Sequence, residues 1–181
     1  MRIPTRLLAI PTCFLAALAI GLTAGCQQQA PPQEGITSEE AQAFIANYLL
    51  IWNEGNFDAI GEICRLDYVL HHCALPEDVP GHGPLRDYVT RVRTAFPDQL
   101  IKVDKLIAKG SDIVARWTAT GTNTGPLGDY PPTGRRMEIS GISIFHIENG
   151  KAVEEWIVYN VLDVYQQLGY TLAYPEDSVS E

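Results

Sequence analysis

The residues best suited to chemistry lie near the end of the chain, on the second arm of a predicted hairpin. Two long alternating runs flank Asn149-Gly150, a dipeptide typical of a type I′ turn. Trp156, Val158 and Asn160 lie two residues apart on the second run, so they are predicted to share one strand face. An indole ring supplies flat apolar area and an amide donates hydrogen bonds, which indicates the floor of a binding cavity.

Asn160 is the most informative of these residues, and two roles are open for it. In a cavity its amide could hydrogen-bond to a ligand carbonyl or to charge developing on an enolate, although an amide cannot act as a base. Alternatively, Asn160 ends the strand and caps the helix that follows, because Asn is a favoured N-cap residue.

A proton carrier is therefore expected elsewhere in the chain, and a pair of histidines offers one. His71 and His72 are adjacent on a predicted strand, so they point to opposite faces and only one of them can face a cavity. Histidine is the natural proton carrier near neutral pH, and of the two we choose His72. The alternative is a structural or exposed histidine. Two histidines on opposite faces do not form a metal site.

The three tryptophans, Trp52, Trp117 and Trp156, are candidate walls of the same cavity. Aromatic rings commonly line small-molecule sites. For any one of them, the alternative is plain packing in the core.

The elements that must position these residues follow a change of hydrophobic period along the chain. A capping box at 37–40 and helical spacing predict three helices before residue 98, with a short strand at 68–73. The period then changes to two, which predicts strands at 100–108, 113–122, 136–147 and 152–161 and a final helix at 162–168. This order indicates an α+β fold whose helices cover one face of a twisted sheet and leave a concavity for a ligand.

Several motifs in a fixed order resemble one protein family. They are Asp98 after Phe96-Pro97, the stretch GTNTGPLGDYPPTGRRMEISGISIFHIENGKAVEEW, and QQLG at 166–169. Together they resemble the SnoaL-like polyketide cyclase (ester cyclase) family of the NTF2-like superfamily, over residues 36–170. The resemblance implies an NTF2-like cone with N-terminal helices packed on a strongly curved, mostly antiparallel sheet.

The resemblance also implies a kind of site. Members of the family bind small hydrophobic molecules in a conical cavity, and the best known close a polyketide ring by aldol chemistry with neither cofactor nor metal. Their acid/base is an aspartate four residues after the Trp, where this chain has Asn160, and Asn123 takes the place of a motif histidine. The candidate site residues are His72 and Asn160 for catalysis, and, for ligand contact, Trp52, Trp117, Asn123, Trp156 and Val158.

Three functions follow from these residues. The first is a cofactor-free cyclase or isomerase acting on a small apolar carbonyl compound. The second is a non-catalytic lipoprotein that binds such a compound, which the amides at Asn160 and Asn123 favour. The third is an interaction module, because this fold also forms homodimers through its sheet.

The first 25 residues are predicted to be an export signal. Arg2 and Arg6 precede an apolar run too short for a comfortable membrane span, and small residues then lead to Cys26. This ending resembles the lipobox of bacterial lipoproteins, which implies a lipid on Cys26 that anchors the protein to the cell envelope, at the outer membrane if one exists. The alternatives are an ordinary cleaved signal peptide and an uncleaved anchor. Residues 26–35 are predicted to be a flexible tether, 36–174 the SnoaL-like domain and 175–181 an acidic tail.

Charge and cysteine content restrict the partners. The net charge is −9 and becomes more negative when Arg2 and Arg6 are removed, so nucleic acid is an unfavourable partner. Cys64 and Cys73 remain in an exported chain, where they either form a disulfide or stay as two buried thiols. No cysteine spacing typical of a zinc site is present, and no metal or cofactor is predicted.

Overall fold

Four helices and a six-stranded sheet make up residues 35–171, the part of the chain that the computed structural model describes. The helices are α1 (Ser38–Leu49), α2 (Ile60–Ile63), α3 (His82–Ala95) and α4 (Val161–Gln167). The strands are β1 (Cys64–His72), β2 (Val79–Pro80), β3 (Leu100–Lys109), β4 (Asp112–Thr122), β5 (Arg136–Glu148) and β6 (Lys151–Tyr159). A π-helical turn at Leu50–Glu54 and a 3-10 turn at Phe57–Ala59 join α1 to α2. Within residues 35–171, no helix has the length and apolar character needed to cross a membrane.

The sheet has the order β2-β1-β6-β5-β4-β3, and every neighbouring pair is antiparallel except β1 with β6. The strands β3 to β6 follow one another as a meander, as the change to a period of two predicts. The β5–β6 hairpin turns at Asn149 and Gly150, both with positive φ, which is the geometry of the predicted type I′ turn. The predicted α+β fold, with helices packed on a mostly antiparallel sheet, is confirmed.

Helix α1 begins where the sequence predicts it. Thr37 and Glu40 form the capping box, with the Thr37 hydroxyl accepting from the Glu40 amide at 3.2 Å and the Glu40 carboxylate accepting from the Thr37 amide at 2.8 Å. Phe44, Ile45 and Tyr48 then face the sheet from successive turns and are buried. The rings of Phe44 and Tyr48 pack edge-on against Phe145 of β5, which fixes α1 across the sheet.

Two strand boundaries differ from the prediction by two residues or more. Strand β1 begins at Cys64 rather than at residue 68, because pairing with β6 continues past the polar Arg65 and Asp67. Strand β6 ends at Tyr159 rather than at residue 161, because Asn160 leaves the ladder to start α4.

Of the two alternatives left open for Cys64 and Cys73, the disulfide is ruled out. Cys64 begins β1 and Cys73 directly follows its end, so about nine residues of extended chain, roughly 30 Å, separate them. A disulfide requires Cα atoms within about 7 Å. Both thiols are free, Cys64 buried and Cys73 exposed.

Gly141 allows β5 to pass beneath the indole of Trp117. A Cβ atom at this position would lie 2.3 Å from Trp117 Cζ2, far inside van der Waals contact. We therefore expect Gly141→Ala to lower the free energy of unfolding by about 1–3 kcal/mol, the usual cost of overpacking. Urea unfolding measures this change, and Gly61→Ala is the control, because no atom lies within 4 Å of its added Cβ. A Gly141→Ala protein as stable as the control would contradict the close packing of Trp117.

Candidate ligand-binding cavity

A cavity of about 420 Å³ lies between the concave face of the sheet and helices α1, α3 and α4. Its volume suits a small molecule. The walls are mostly apolar and aromatic, and a few polar side chains converge on them. Its aromatic and polar wall residues include Tyr48, Trp52, His72, Tyr88, Gln99, Trp117, Ser143 and Tyr159.

Trp52 and Trp117 are cavity walls, as predicted. Trp117 comes from β4 and its indole N–H donates to the Ser143 hydroxyl at 3.1 Å. Trp52 comes from the π-helical turn after α1, and its buried Nε1 has no hydrogen-bond partner. The Trp52 nitrogen lies near the Tyr48 hydroxyl, but the two do not meet hydrogen-bond geometry.

Trp156 and Val158 do not line the cavity, so that prediction is wrong. Both lie on the outer face of β6, where Trp156 is 38% exposed and Val158 is 62% exposed. The Trp156 ring stacks on His71 of β1, with ring centroids 5.0 Å apart. On the neighbouring strand β5, Ile144 pairs with Trp156 and Ile142 pairs with Val158, and both isoleucines are also exposed. Pairing of two copies through the sheet stays a prediction. Such a dimer would bury this apolar outer face.

Asn160 is also outside the cavity, and of its two open roles the capping role is the one observed. Its side-chain oxygen accepts a hydrogen bond from the backbone N–H of Asp163 at 3.2 Å, so it is the N-cap of α4. The chain has left the strand at this residue. Even on the strand, Asn160 would share the outward-facing side of Trp156, so its side chain would point away from the cavity.

Asn123 does not touch the cavity either, although it is completely buried. Its amide nitrogen donates to the carbonyl of Gly125 at 2.8 Å and to that of Ala95 at 3.3 Å. Its oxygen accepts from the backbone and the hydroxyl of Thr133. Asn123 is therefore not placed to contact a ligand in this cavity. Asn123 instead clamps both ends of the loop at 124–134, whose residues 127–130 reach the cavity.

His72 faces the cavity, as predicted, and forms a neutral pair with Tyr88 of α3. Its Nδ1 accepts from the backbone N–H of Ala74 at 3.2 Å, which assigns the ring proton to Nε2. Nε2–H then donates to the Tyr88 hydroxyl oxygen at 2.9 Å. Burial lowers the pKa of His72 to about 4 and raises the pKa of Tyr88 well above its usual value. The Tyr88 hydroxyl hydrogen remains free to donate to a ligand.

Gln99, which sequence analysis missed, supplies another donor. It follows the turn after α3, is buried, and lines the cavity with a side-chain nitrogen that has no partner. No periodic signal marks this residue, because it lies between a helix and a strand. Its burial arises only when the two elements pack together.

Glu155 is the second functional candidate that sequence analysis missed. It is 0% exposed on the inner face of β6, directly behind the cavity wall. The hydroxyl of Tyr48 donates to one carboxylate oxygen at 2.7 Å, and the hydroxyl of Tyr68 donates to the other. Burial raises the pKa of Glu155 to about 7, although the Tyr68, Tyr48 and Ser143 hydroxyls oppose that rise. Glu155 lies two residues from both Val153 and Ile157, so it shares their strand face. If those two apolar residues, rather than Trp156, are taken to mark the inner face, the sequence places Glu155 on it.

Comparisons with known proteins agree with this geometry. A ketosteroid isomerase-like protein from Catenulispora acidiphila, solved in complex with trimethylamine, shares the fold, with 12% identity, a TM-score of 0.62, and coverage of 71% of this chain and 93% of that one. The family model for SnoaL-like polyketide cyclases matches residues 42–168, and the chain belongs to that family.

Two further structures are more similar in sequence. TsrD from Streptomyces laurentii is 28% identical with a TM-score of 0.67, covering 74% of this chain and 98% of its own. A candidate polyketide cyclase from Acidithiobacillus ferrooxidans is 28% identical with a TM-score of 0.65, covering 74% and 96%. A search of curated proteins gives no match.

The neutral state of His72 can be tested directly. We expect nitrogen NMR to show a neutral, Nε2-protonated ring at about pH 5.5, where an unperturbed histidine is mostly charged. Because the ring is neutral when folded and charged when unfolded, the stability it contributes is lost as pH falls from 6.5 towards 4. The His72→Gln variant identifies the signal by its loss. A doubly protonated ring at that pH would contradict the assigned His72–Tyr88 pair.

Proposed function

We propose that this protein binds a small, mostly apolar molecule through an acceptor oxygen of the carbonyl type, inside the cavity of its SnoaL-like domain. The observation that carries the proposal is the set of unpaired donors in an otherwise apolar cavity. Trp52 Nε1 and Gln99 Nε2 are buried without partners, and the Tyr88 hydroxyl hydrogen is uncommitted. A buried donor without a partner is costly, so a ligand oxygen that accepts from it is favoured.

The same donors suit cofactor-free cyclase or isomerase chemistry. Removing a proton from the carbon next to a carbonyl places negative charge on the carbonyl oxygen, and fixed donors in a site of low dielectric stabilise that charge. Family membership supports this chemistry, since the matching family is that of the SnoaL-like polyketide cyclases.

A second candidate is binding without catalysis. It is favoured by Asn160, which replaces the aspartate of the resembling cyclases and caps α4 instead of facing the cavity. The two ring nitrogens of His72 are also both engaged, one by Ala74 and the other by Tyr88. On this reading the protein holds its ligand for another component of the cell envelope.

Paired probes test the donor set. We expect 2-tetralone, a bicyclic ketone, to quench the fluorescence of Trp52 and Trp117 and to bind more tightly than tetralin, the same ring system without the oxygen. Gln99→Leu should weaken 2-tetralone binding by about 0.5–1.5 kcal/mol, the net worth of one hydrogen bond, and leave tetralin binding unchanged or tighter. Native mass spectrometry of protein from its own envelope would show the natural ligand.

The matched control is Trp156→Phe. Because Trp156 lies on the outer face of the sheet, this substitution should not change the affinity for 2-tetralone or tetralin. Equal affinity for 2-tetralone and tetralin would contradict the role of the donors. No binding of either probe, together with a cavity that carries no molecule from the cell, would reject small-molecule binding altogether.

We also propose that the mature protein is lipid-anchored through Cys26. This residue lies outside the described residues, and the proposal rests on the apolar run and the small residues that precede it. Cys26→Ser is expected to abolish incorporation of labelled fatty acid and to move the protein from the detergent phase to the aqueous phase. A Cys26→Ser protein that stays labelled and membrane-bound would refute the anchor.

A further inference from the structure

The carboxyl group of Glu155 has no place in the function proposed above, yet it is the most unusual group in the domain. It is completely buried on β6, and it is held by the hydroxyls of Tyr48 from α1 and Tyr68 from β1. The Ser143 hydroxyl on β5 faces the same carboxyl and favours its ionised form. Helix and strands together therefore enclose one acidic group.

No cation compensates Glu155 among the residues that the structure describes. None of the salt bridges of residues 35–171 includes it, and the ionisable groups that face it are Tyr48, Tyr68, Tyr88 and the Cys64 thiol. Burial raises the pKa of each of them and the nearby carboxylate raises it further, so all four are held neutral. A buried carboxylate surrounded only by neutral donors is costly. A glutamine would fill the same space without the charge, but its single oxygen would accept only one of the two tyrosine hydrogen bonds.

Tyr48 connects this group to the cavity. Its side chain lines the cavity wall, and its hydroxyl donates to Glu155 at 2.7 Å. Tyr68 makes the equivalent bond to the other oxygen but does not line the cavity. Of the two tyrosines, only Tyr48 thus links the carboxyl to the space that a ligand would occupy.

We propose that Tyr48 and Glu155 form a proton relay in which Tyr48 contacts the bound carbonyl compound and Glu155 acts through it as the terminal proton acceptor. The proposal rests on the proposed function, because it requires a carbonyl ligand in the cavity. It replaces the acid/base that the sequence lacks at Asn160 with a group earlier in the chain, on β6.

The relay moves one proton and leaves no charge on the phenol. The Tyr48 oxygen takes a proton from the carbon next to the ligand carbonyl as the Tyr48 hydroxyl proton passes to the Glu155 carboxylate. The electron pair of the broken C–H bond becomes the enolate, whose oxygen accepts from the cavity donors. The reverse transfer returns a proton to the ligand at the same carbon or at its conjugated position, and Glu155 is again ionised. A neutral phenol at rest fits this concerted transfer, since the surroundings disfavour a phenolate at Tyr48.

Isomerisation of 3-cyclohexenone to 2-cyclohexenone tests the relay, since it needs only removal of a proton and its return further along the ring. The conjugated product is followed by its ultraviolet absorbance. We expect the wild-type kcat/KM to rise with pH through an apparent pKa of about 7, because only ionised Glu155 can accept the proton. Glu155→Gln and Tyr48→Phe should each lower kcat/KM by about 100-fold or more, with circular dichroism unchanged.

Tyr68→Phe is the matched control. It removes one donor to Glu155 but touches no ligand, so activity should persist and the pH profile should move to higher pH, because the ionised form loses a hydrogen bond. A merely structural role of Glu155 would shift stability and leave the shape of this profile unchanged.

The outcomes separate the two proposals. Wild-type protein that binds 2-tetralone but isomerises 3-cyclohexenone no faster than buffer overturns the relay and leaves the binding function standing. Glu155→Gln protein that keeps wild-type activity and the wild-type pH profile also overturns it. Failure to bind 2-tetralone removes the proposed function, and the relay falls with it.

Discussion

The cavity depends on which side chains of β6 face inward, which we call the phase of the strand. Alternate residues of a strand face opposite sides of a sheet, and β6 directs Glu155, Ile157 and Tyr159 inward and Trp156 and Val158 outward. The ladder with β5 holds this phase, pairing Glu155 with Phe145 and Tyr159 with Gly141. A shift of one residue would expose the glutamate and bury the indole, so the cavity wall and its polar groups exist only in this register.

Helix α1 is fixed across that wall by both apolar and polar contacts. Phe44 and Tyr48 pack edge-on against Phe145, and the Tyr48 hydroxyl reaches Glu155. The turn after α1 is then tied down by Arg93 of α3, whose guanidinium donates to the carbonyl of Trp52 at 2.8 Å and to that of Asn53. Because the backbone of this turn is held, the Trp52 indole faces the cavity at a set position, which favours a preformed site over one that closes around its ligand.

The chemistry of the cavity follows from the burial of its polar groups rather than from added charge. Burial keeps His72 neutral and raises the pKa values of Tyr88, Tyr159 and Glu155 together. Neutral donors in such surroundings interact strongly with a developing negative charge and weakly with a neutral apolar ligand. An environment of this kind suits the formation of an enolate better than the binding of an ion.

The sequence by itself determined the α+β class, the capping box of α1, the β5–β6 turn and the family, because each depends on residues close together in the chain. It also selected His72, Trp52 and Trp117 for the cavity. It did not determine the side of β6 that faces inward, because Trp156 and Val158 are as apolar as Ile157 and Tyr159, and Glu155 looks like a surface residue. Only the tertiary structure decided that phase, through pairing with β5 and packing of α1. The sequence left two roles open for Asn160, and the structure decided in favour of the helix cap. Only the fold revealed that Asn123 clamps a loop against Ala95 and that Gln99 is buried without a partner, since these depend on groups far apart in the sequence.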